Sequence, residues 1–200
     1  MKYLAVVVLI LVALLLPTSA MAADPAVFKV VFLMAETPQD QGWNAAHWRG
    51  IQELKVLGAV VNGSSTGFTV QLADGRLLEV STIQKVGYAA ADIERFATQA
   101  LIGGADMIWG TWWDSGPVLA TLAEQYPDVL FEHISGYPFI KSNGRNLSTF
   151  FIKQEQGGYA TCVLLARMGY HKVGIVATQM IPEPVREVAG CILGGQSVFS

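Results

Sequence analysis

The sequence has few of the residues on which several classes of protein depend. Only 2 of its 200 residues are cysteine and only 3 are histidine, with no CxxC, HxH or HExxH spacing. These counts exclude a disulfide-dense mini-domain and argue against a metal centre, which needs closely spaced ligands. Charged residues make up 14% of the chain, the net charge is −3 and no basic run is present, so a nucleic-acid partner is not expected. Without a GxGxxG after the first strand or a P-loop, no cofactor is expected either.

The longest apolar run lies at the amino terminus. Residues 4–16 are all apolar and follow Lys2, but thirteen residues fall short of the roughly 20 that cross a bilayer. Pro17 ends the run, and residues 20–22 (AMA) form a small-x-small cleavage pattern. We therefore predict a secretory signal peptide at residues 1–22 and a soluble product in a bacterial periplasm. The product is not expected to be a lipoprotein, because no cysteine lies near the cleavage point.

The two cysteines, Cys162 and Cys191, each lie within a helix-like apolar pattern. They could pair in an oxidising compartment, but sequence spacing does not give the Cα–Cα distance that a disulfide requires. Because cysteine often packs as a small apolar residue, we predict two buried free thiols.

Strand-like and helix-like segments alternate along the rest of the chain. The predicted strands are residues 28–34, 77–82, 106–110, 129–133, 147–151 and 171–177. The predicted helices are residues 43–57, 89–102, 117–126, 154–168 and a last one from Pro182. Turn signals at 62–63 and 74–75 predict a β-hairpin within residues 59–82. This alternation predicts an α/β fold in which a parallel sheet is flanked by helices.

The loops that follow the predicted strands are the expected binding site, because ligands of parallel sheets lie beyond the carboxyl ends of the strands. Three of four such loops combine a large aromatic residue, a carboxylate and a glycine. Aromatic faces stack on flat or ring-shaped ligands, and carboxylates accept hydrogen bonds from ring N–H groups or sugar hydroxyls. The candidate ligand-binding residues are Asp40, Gly42, Trp43, Trp112, Asp114, Gly136, Tyr137, Pro182 and Glu183.

Several of these candidates have a structural alternative. Asp40 and Asp114 could each cap the helix that follows. The adjacent residues Trp112 and Trp113 face opposite ways in an extended chain, so one of them is expected to pack inward. An exported enzyme that uses His133 and Asp114 is a further alternative, although the sequence has no GxSxG elbow.

Taken in order, several motifs resemble one family. They are DQGW at 40–43 with His47, Asp114, FEHxSGY at 131–137, NLSTxF at 146–151, IPExxR at 181–186 and LGxQSV at 193–198. This pattern is similar to that of the basic membrane protein (BMP, PnrA-like) family of ABC-transporter periplasmic substrate-binding proteins. The resemblance extends over most of residues 28–200.

The resemblance implies a type I periplasmic-binding-protein fold, in which two α/β lobes close on a ligand. Residues 23–151 would form a nearly complete first lobe and residues 152–200 a truncated second lobe. The implied contacts are Asp40, Gly42, Trp43, Asp114 and Tyr137 in the first lobe and residues 181–183 in the second.

The family implies a purine nucleobase or nucleoside as ligand, delivered to an inner-membrane ABC permease without catalysis. A ligand-sensing module of a receptor is the alternative. Because relatives are about twice as long, this 200-residue chain is expected to be a fragment that binds weakly.

Overall fold

A computed structural model describes residues 26–135 and 145–199, and the seven strands in these ranges form one sheet. The strands are β1 (Val27–Leu33), β2 (Gly58–Gly63), β3 (Gly67–Leu72), β4 (Leu77–Ile83), β5 (Met107–Gly110), β6 (Leu130–Ile134) and β7 (Leu147–Phe150). Their order is β2-β3-β4-β1-β5-β6-β7. Strands β4, β1, β5, β6 and β7 are parallel, whereas β2 and β3 form an antiparallel extension at one edge. The predicted parallel sheet and hairpin are therefore confirmed.

The helices of the described residues are α1 (Trp43–Glu53), α2 (Ala90–Ile102), α3 (Ser115–Gln125), α4 (Gln154–Arg167) and α5 (Pro182–Phe199). A 3-10 turn at Leu54–Leu57 extends α1, and Gly58 ends it and begins β2. Helix α3 begins at Ser115, two residues before the predicted start. Within the described ranges, no helix has both the length and the apolar character needed to cross a bilayer.

Strand β1 is apolar on both faces because helices cover both sides of the sheet. Leu33 packs on one face in a cluster with Ile93 of α2 and Leu119 of α3. Phe32 packs on the opposite face in a second cluster with Ile51 of α1. Successive residues of a strand point to opposite faces, so a strand buried on both sides requires apolar residues at consecutive positions, as at residues 30–33.

Helices α4 and α5 pack side by side, with their backbones in direct contact at glycines. A Cβ atom on Gly158 would overlap the backbone carbonyl oxygen of Glu187, and one on Gly190 would overlap that of Glu155. Only residues without a side chain allow backbones to approach this closely. The glycines therefore determine how near the two helices lie.

The prediction of two free thiols is wrong, because Cys162 of α4 and Cys191 of α5 form a disulfide with Cα atoms 4.9 Å apart. This separation is within the usual range for a disulfide. The close glycine contacts bring the two helices within that range. The sequence separation of 29 residues gave no indication that the two cysteines lie close together.

The prediction of a strand at residues 171–177 is also wrong. The segment has no strand assignment, and its residues are exposed, with Val176 99% exposed. A strand needs a hydrogen-bonded neighbour, and within the described residues the sheet ends at β7 without reaching this segment. An apolar, strand-like composition alone therefore did not make a strand.

The structure does not test two of the predictions. The proposed leader, residues 1–22, lies outside the described residues. The division between residues 151 and 152 stays a prediction, although the last strand of the sheet ends just before it, at Phe150.

Candidate functional site

The parallel strands β4, β1, β5 and β6 end on the same side of the sheet. The segments that follow them, residues 84–89, 34–42, 111–114 and 135, form what we call the carboxyl edge. The hydroxyl of Thr111 donates to the carbonyl of Leu33 at 2.9 Å, which ties the end of β5 to the end of β1. The topology therefore brings the predicted first-lobe residues of the described chain to one edge, where ligands of parallel sheets bind.

Asp40 organises the start of α1. Its Oδ1 accepts hydrogen bonds from the backbone N–H groups of Gly42 and Ala45, both at 2.9 Å. Its Oδ2 accepts from the backbone N–H and the side-chain amide of Asn44, both at 2.8 Å. Desolvation alone would raise the pKa of Asp40, but these hydrogen bonds outweigh it and hold the pKa well below its usual range.

These contacts favour the capping alternative for Asp40. Each carboxylate oxygen already accepts two hydrogen bonds, so Asp40 and Gly42 are used to shape the loop and the first turn of α1. Their predicted contacts with a ligand stay predictions.

Replacing Asp40 with alanine is expected to lower the free energy of unfolding by about 1–3 kcal/mol, because buried and backbone donors lose a charged acceptor. Asp92→Ala is the matched control, since Asp92 is an exposed carboxylate that pairs with Arg95 at 3.0 Å. The control should change stability by less than about 0.5 kcal/mol. Urea unfolding of both variants measures this, and equal effects would contradict the capping role of Asp40.

Trp43 joins α1 to the end of β5. Its indole N–H donates to the backbone carbonyl of Thr111 at 2.6 Å, and its ring contacts His47 edge-on with centroids 5.0 Å apart. Burial lowers the pKa of His47 to about 4 despite the opposing charge of Asp40, so this imidazole is neutral at neutral pH. Trp43 is thus packed in place, and its predicted stacking on a ligand is not tested by these contacts.

Trp43 also lines an apolar groove of about 370 Å³ between α1 and the sheet. Aromatic side chains of the sheet form much of the groove. Phe32 stacks on Trp109 with centroids 5.2 Å apart, and Phe150 meets Trp109 edge-on at 5.4 Å. Trp109 itself is half-buried on this face of the sheet.

Two buried side chains fix the loop after β5 through one carbonyl group. The hydroxyl of Ser115 donates to the carbonyl of Trp112 at 2.7 Å, and Nε2 of His133 lies 2.8 Å from the same oxygen. Because a carbonyl only accepts, Nε2 carries the proton. Burial lowers the pKa of His133 to about 4, although hydrogen bonds to Trp112 and Trp113 oppose the shift. His133 therefore has a structural role in this loop, and these contacts do not test the catalytic alternative.

The two adjacent tryptophans of this loop face different environments. Trp112 is 5% exposed and belongs to the core cluster that includes Leu33, whereas Trp113 is half-buried. One of the pair was expected to pack inward, and the structure shows that it is Trp112. This position differs from the ligand wall predicted for Trp112.

Asp114 lies at the capping position of α3, but its side chain makes no capping hydrogen bond. It is half-buried at the carboxyl edge. Burial raises the pKa of the Tyr88 phenol, and the charges of Glu36, Asp114 and Asp40 raise it further. Tyr88 and Asp114 both lie on segments of the carboxyl edge, which follow β4 and β5.

Tyr88 and Glu36, which also lie at the carboxyl edge, are not among the candidate residues of the sequence analysis. The loop after the strand at 77–82 was not counted among the strand-end loops, although the same rule applies to it. A glycine next to an aromatic residue, Gly87-Tyr88, was the available signal.

The remaining predicted residues fall into two groups. Gly136 and Tyr137 lie outside the described residues. Pro182 and Glu183 begin α5, where Glu183 is 6% exposed and its Oε2 has no hydrogen-bond partner among the described residues. In the same region Arg186 of α5 pairs with Glu155 of α4 at 2.6 Å.

No group of three His, Cys, Asp or Glu residues in the described parts of the chain is arranged to hold a metal ion.

Comparison with known proteins identifies two relatives of described function. The chain is 28% identical over 172 residues to a purine-binding protein of Brucella abortus, covering 85% of this chain and 43% of that protein. It is 34% identical over 110 residues to a protein of Haloferax volcanii assigned as the ABC transporter glucose-binding protein TsgA13, covering 55% of this chain and 27% of that protein. The chain therefore spans less than half the length of either relative.

Solved structures show the same fold. A solute-binding protein of an ABC transporter system from Conexibacter woesei superposes with a TM-score of 0.59 at 20% identity, covering 86% of this chain and 51% of that one. The family of PnrA-like ABC transporter substrate-binding proteins matches residues 27–198. With a mostly parallel sheet flanked by helices and a family match over most of its length, this chain belongs to the PnrA-like family of ABC transporter substrate-binding proteins.

Proposed function

We propose that this chain is the solute-binding component of an ABC importer and that its ligand is a purine nucleobase or nucleoside. The carboxyl edge of the sheet supplies the first-lobe part of the site. Binding needs no covalent chemistry, because such a protein acts by a difference in affinity between its conformations. The bound solute is then delivered to an inner-membrane permease.

The carboxylate of Asp114 is the observation that carries the proposal. It stands at the start of α3 without capping that helix. The buried contacts of Ser115 and His133 with the Trp112 carbonyl hold its loop in place. A fixed carboxylate at the ligand-binding edge can accept hydrogen bonds from the ring N–H groups of a purine or from ribose hydroxyls.

The start of α5 is proposed as the second part of the site. Glu183 is buried, and one of its carboxylate oxygens lacks a hydrogen-bond partner in the described chain. Buried polar groups are normally hydrogen-bonded, so a ligand donor would satisfy this oxygen. Pro182, which precedes it, is proposed to line the same region.

A purine is preferred to a sugar because the alignment with the purine-binding relative covers 85% of this chain, against 55% for the glucose-binding one. Tyr88, an exposed aromatic residue at the carboxyl edge, also favours a ligand with a flat ring. Export to the periplasm through the leader at residues 1–22 belongs to the same proposal, since a solute-binding protein meets its ligand outside the cytoplasm.

Asp114→Asn is expected to weaken binding of adenosine, guanosine or hypoxanthine by about 10- to 100-fold, measured by isothermal titration calorimetry. Loss of a charged hydrogen bond costs roughly 1.5–3 kcal/mol, which corresponds to that range. The melting temperature of the free protein should not change, because the side chain does not cap α3.

Asp92→Asn, on the first turn of α2, is the matched control and should leave binding unchanged. A lower melting temperature of Asp114→Asn with unchanged affinity would show that Asp114 is a helix cap. Binding of glucose but of no purine would overturn the ligand assignment while leaving the solute-binding function in place.

A further inference from the structure

Tyr88 lies at the carboxyl edge on the loop between β4 and α2 and is 57% exposed. The loop is firmly held. The backbone N–H groups of Val86 and Gly87 donate to the carbonyls of Met34 and Ala35, both at 3.1 Å. The side chain of Val86 is buried in the core. The residue before Tyr88 is therefore attached to the end of β1, the strand that leads to Asp40.

The backbone of this loop adopts a conformation that turns Tyr88 outward. Gly87 has φ of +79° and Lys85 has φ of +58°, both in the left-handed region. Glycine adopts this conformation without a steric cost, whereas lysine does so only when its surroundings hold it there. The strained backbone at Lys85 is therefore maintained in a loop that places one aromatic side chain, Tyr88, at the surface.

Packing and helix capping do not account for Tyr88. More than half of its surface is exposed, and α2 begins after it, at Ala90. Tyr88, Glu36, Asp40 and Asp114 all lie on segments of the carboxyl edge. Burial raises the pKa of the Tyr88 phenol, and the charges of these carboxylates raise it further. An exposed aromatic face on this held loop and the carboxylate of Asp114, which does not cap α3, lie at the same edge of the sheet. Together they are the two kinds of group that bind a ring-shaped ligand.

We propose that Tyr88 forms the aromatic wall of the ligand site and stacks on a flat ring whose N–H groups are bound by Asp114. This inference rests on the proposed solute-binding function and adds a residue that selects for flat rings over saturated sugars. Since every heteroaromatic ring has a π-face, Tyr88 selects the ring shape and Asp114 its hydrogen-bond donors.

The test compares Tyr88→Ala and Tyr88→Phe with the wild-type chain, using adenosine, hypoxanthine, uracil and glucose as probes in isothermal titration calorimetry. Tyr88→Ala should weaken binding of the flat-ring probes about tenfold, because the stacking surface is lost. Tyr88→Phe should remain within about twofold of wild type, since it keeps the ring. Tyr126→Ala is the matched control, because Tyr126 follows α3 at the opposite edge of the sheet.

The outcomes separate this inference from the ligand assignment. If wild type binds uracil but no purine, and Tyr88→Ala loses that binding, the role of Tyr88 stands and the purine assignment fails. If a flat-ring probe binds Tyr88→Ala as tightly as wild type, the role of Tyr88 is overturned while the function stands. Binding of glucose alone, or of no probe at all, overturns the role of Tyr88, and binding of no probe also contradicts the proposed function.

Discussion

Replacing Gly158 with alanine is expected to lower the free energy of unfolding by about 1–3 kcal/mol and to push α4 and α5 apart. The new Cβ atom would overlap the carbonyl oxygen of Glu187 and lie 3.1 Å from the backbone nitrogen of Cys191. Both neighbours are backbone atoms of α5, so relief requires movement of a whole helix. Overpacking of a close contact typically costs this much.

The preceding residue provides a matched control. Gly157 belongs to the same helix, but a Cβ atom there would meet nothing within 4 Å. Gly157→Ala should therefore stabilise the chain by about 0.5–1 kcal/mol, since alanine favours a helix more than glycine does. Urea unfolding followed by circular dichroism measures both variants. Equal stability of the two would contradict the helix contact.

Gly194 and Gly195 of α5 provide a second pair of the same kind. A Cβ atom on Gly194 would overlap the carbonyl oxygen of Tyr159, whereas one on Gly195 would meet nothing within 4 Å. Gly194→Ala is therefore expected to lower the free energy of unfolding, and Gly195→Ala to raise it. Agreement between the two pairs would show that the contact extends along the interface and does not depend on one residue.

Removing the disulfide between Cys162 and Cys191 is expected to lower the free energy of unfolding by about 2–4 kcal/mol. The bond joins α4 to α5 across a sequence separation of 29 residues that includes the exposed segment 171–177. A cross-link of this kind limits the conformations of the unfolded chain. Reduction should therefore destabilise α4 and α5 more than the sheet.

Two measurements check the disulfide. Thiol titration of the oxidised, denatured protein should find no free thiol, and reductant should expose both. The double variant Cys162→Ala/Cys191→Ala should unfold like the reduced wild-type protein, and reductant should not affect it further. Two titratable thiols in oxidised protein would restore the prediction of free cysteines.

Local pattern predicted most of the secondary structure. The apolar run of β1 and the periodicity of α1 each determine which residues a neighbouring element can bury. The turn at Asp74-Gly75 is another local feature, since Gly75 has φ of +86° and the carboxylate of Asp74 accepts from the backbone of Arg76. The family could also be recognised from sequence, because motif order does not depend on packing.

Pairing between distant segments could not be predicted in the same way. Residues 171–177 have the composition of a strand, yet a strand exists only where a neighbour completes its hydrogen bonds. The disulfide depended on the glycine contacts that bring α4 and α5 together. Both errors have the same cause. A local sequence pattern does not specify which distant segment a strand or a cysteine will pair with.

The site shows the same division at the level of single residues. Sequence alone determined that Asp40, Trp43 and Asp114 follow parallel strands and so lie at the carboxyl edge of the sheet, where ligands of parallel sheets bind. Only the tertiary structure decided that Asp40 is used as a cap, that Asp114 is not and that Trp112 is buried. The physical reason is that residue type and position limit what a side chain can do, whereas its neighbours in space decide which of its hydrogen-bonding groups and which ring faces remain for a ligand.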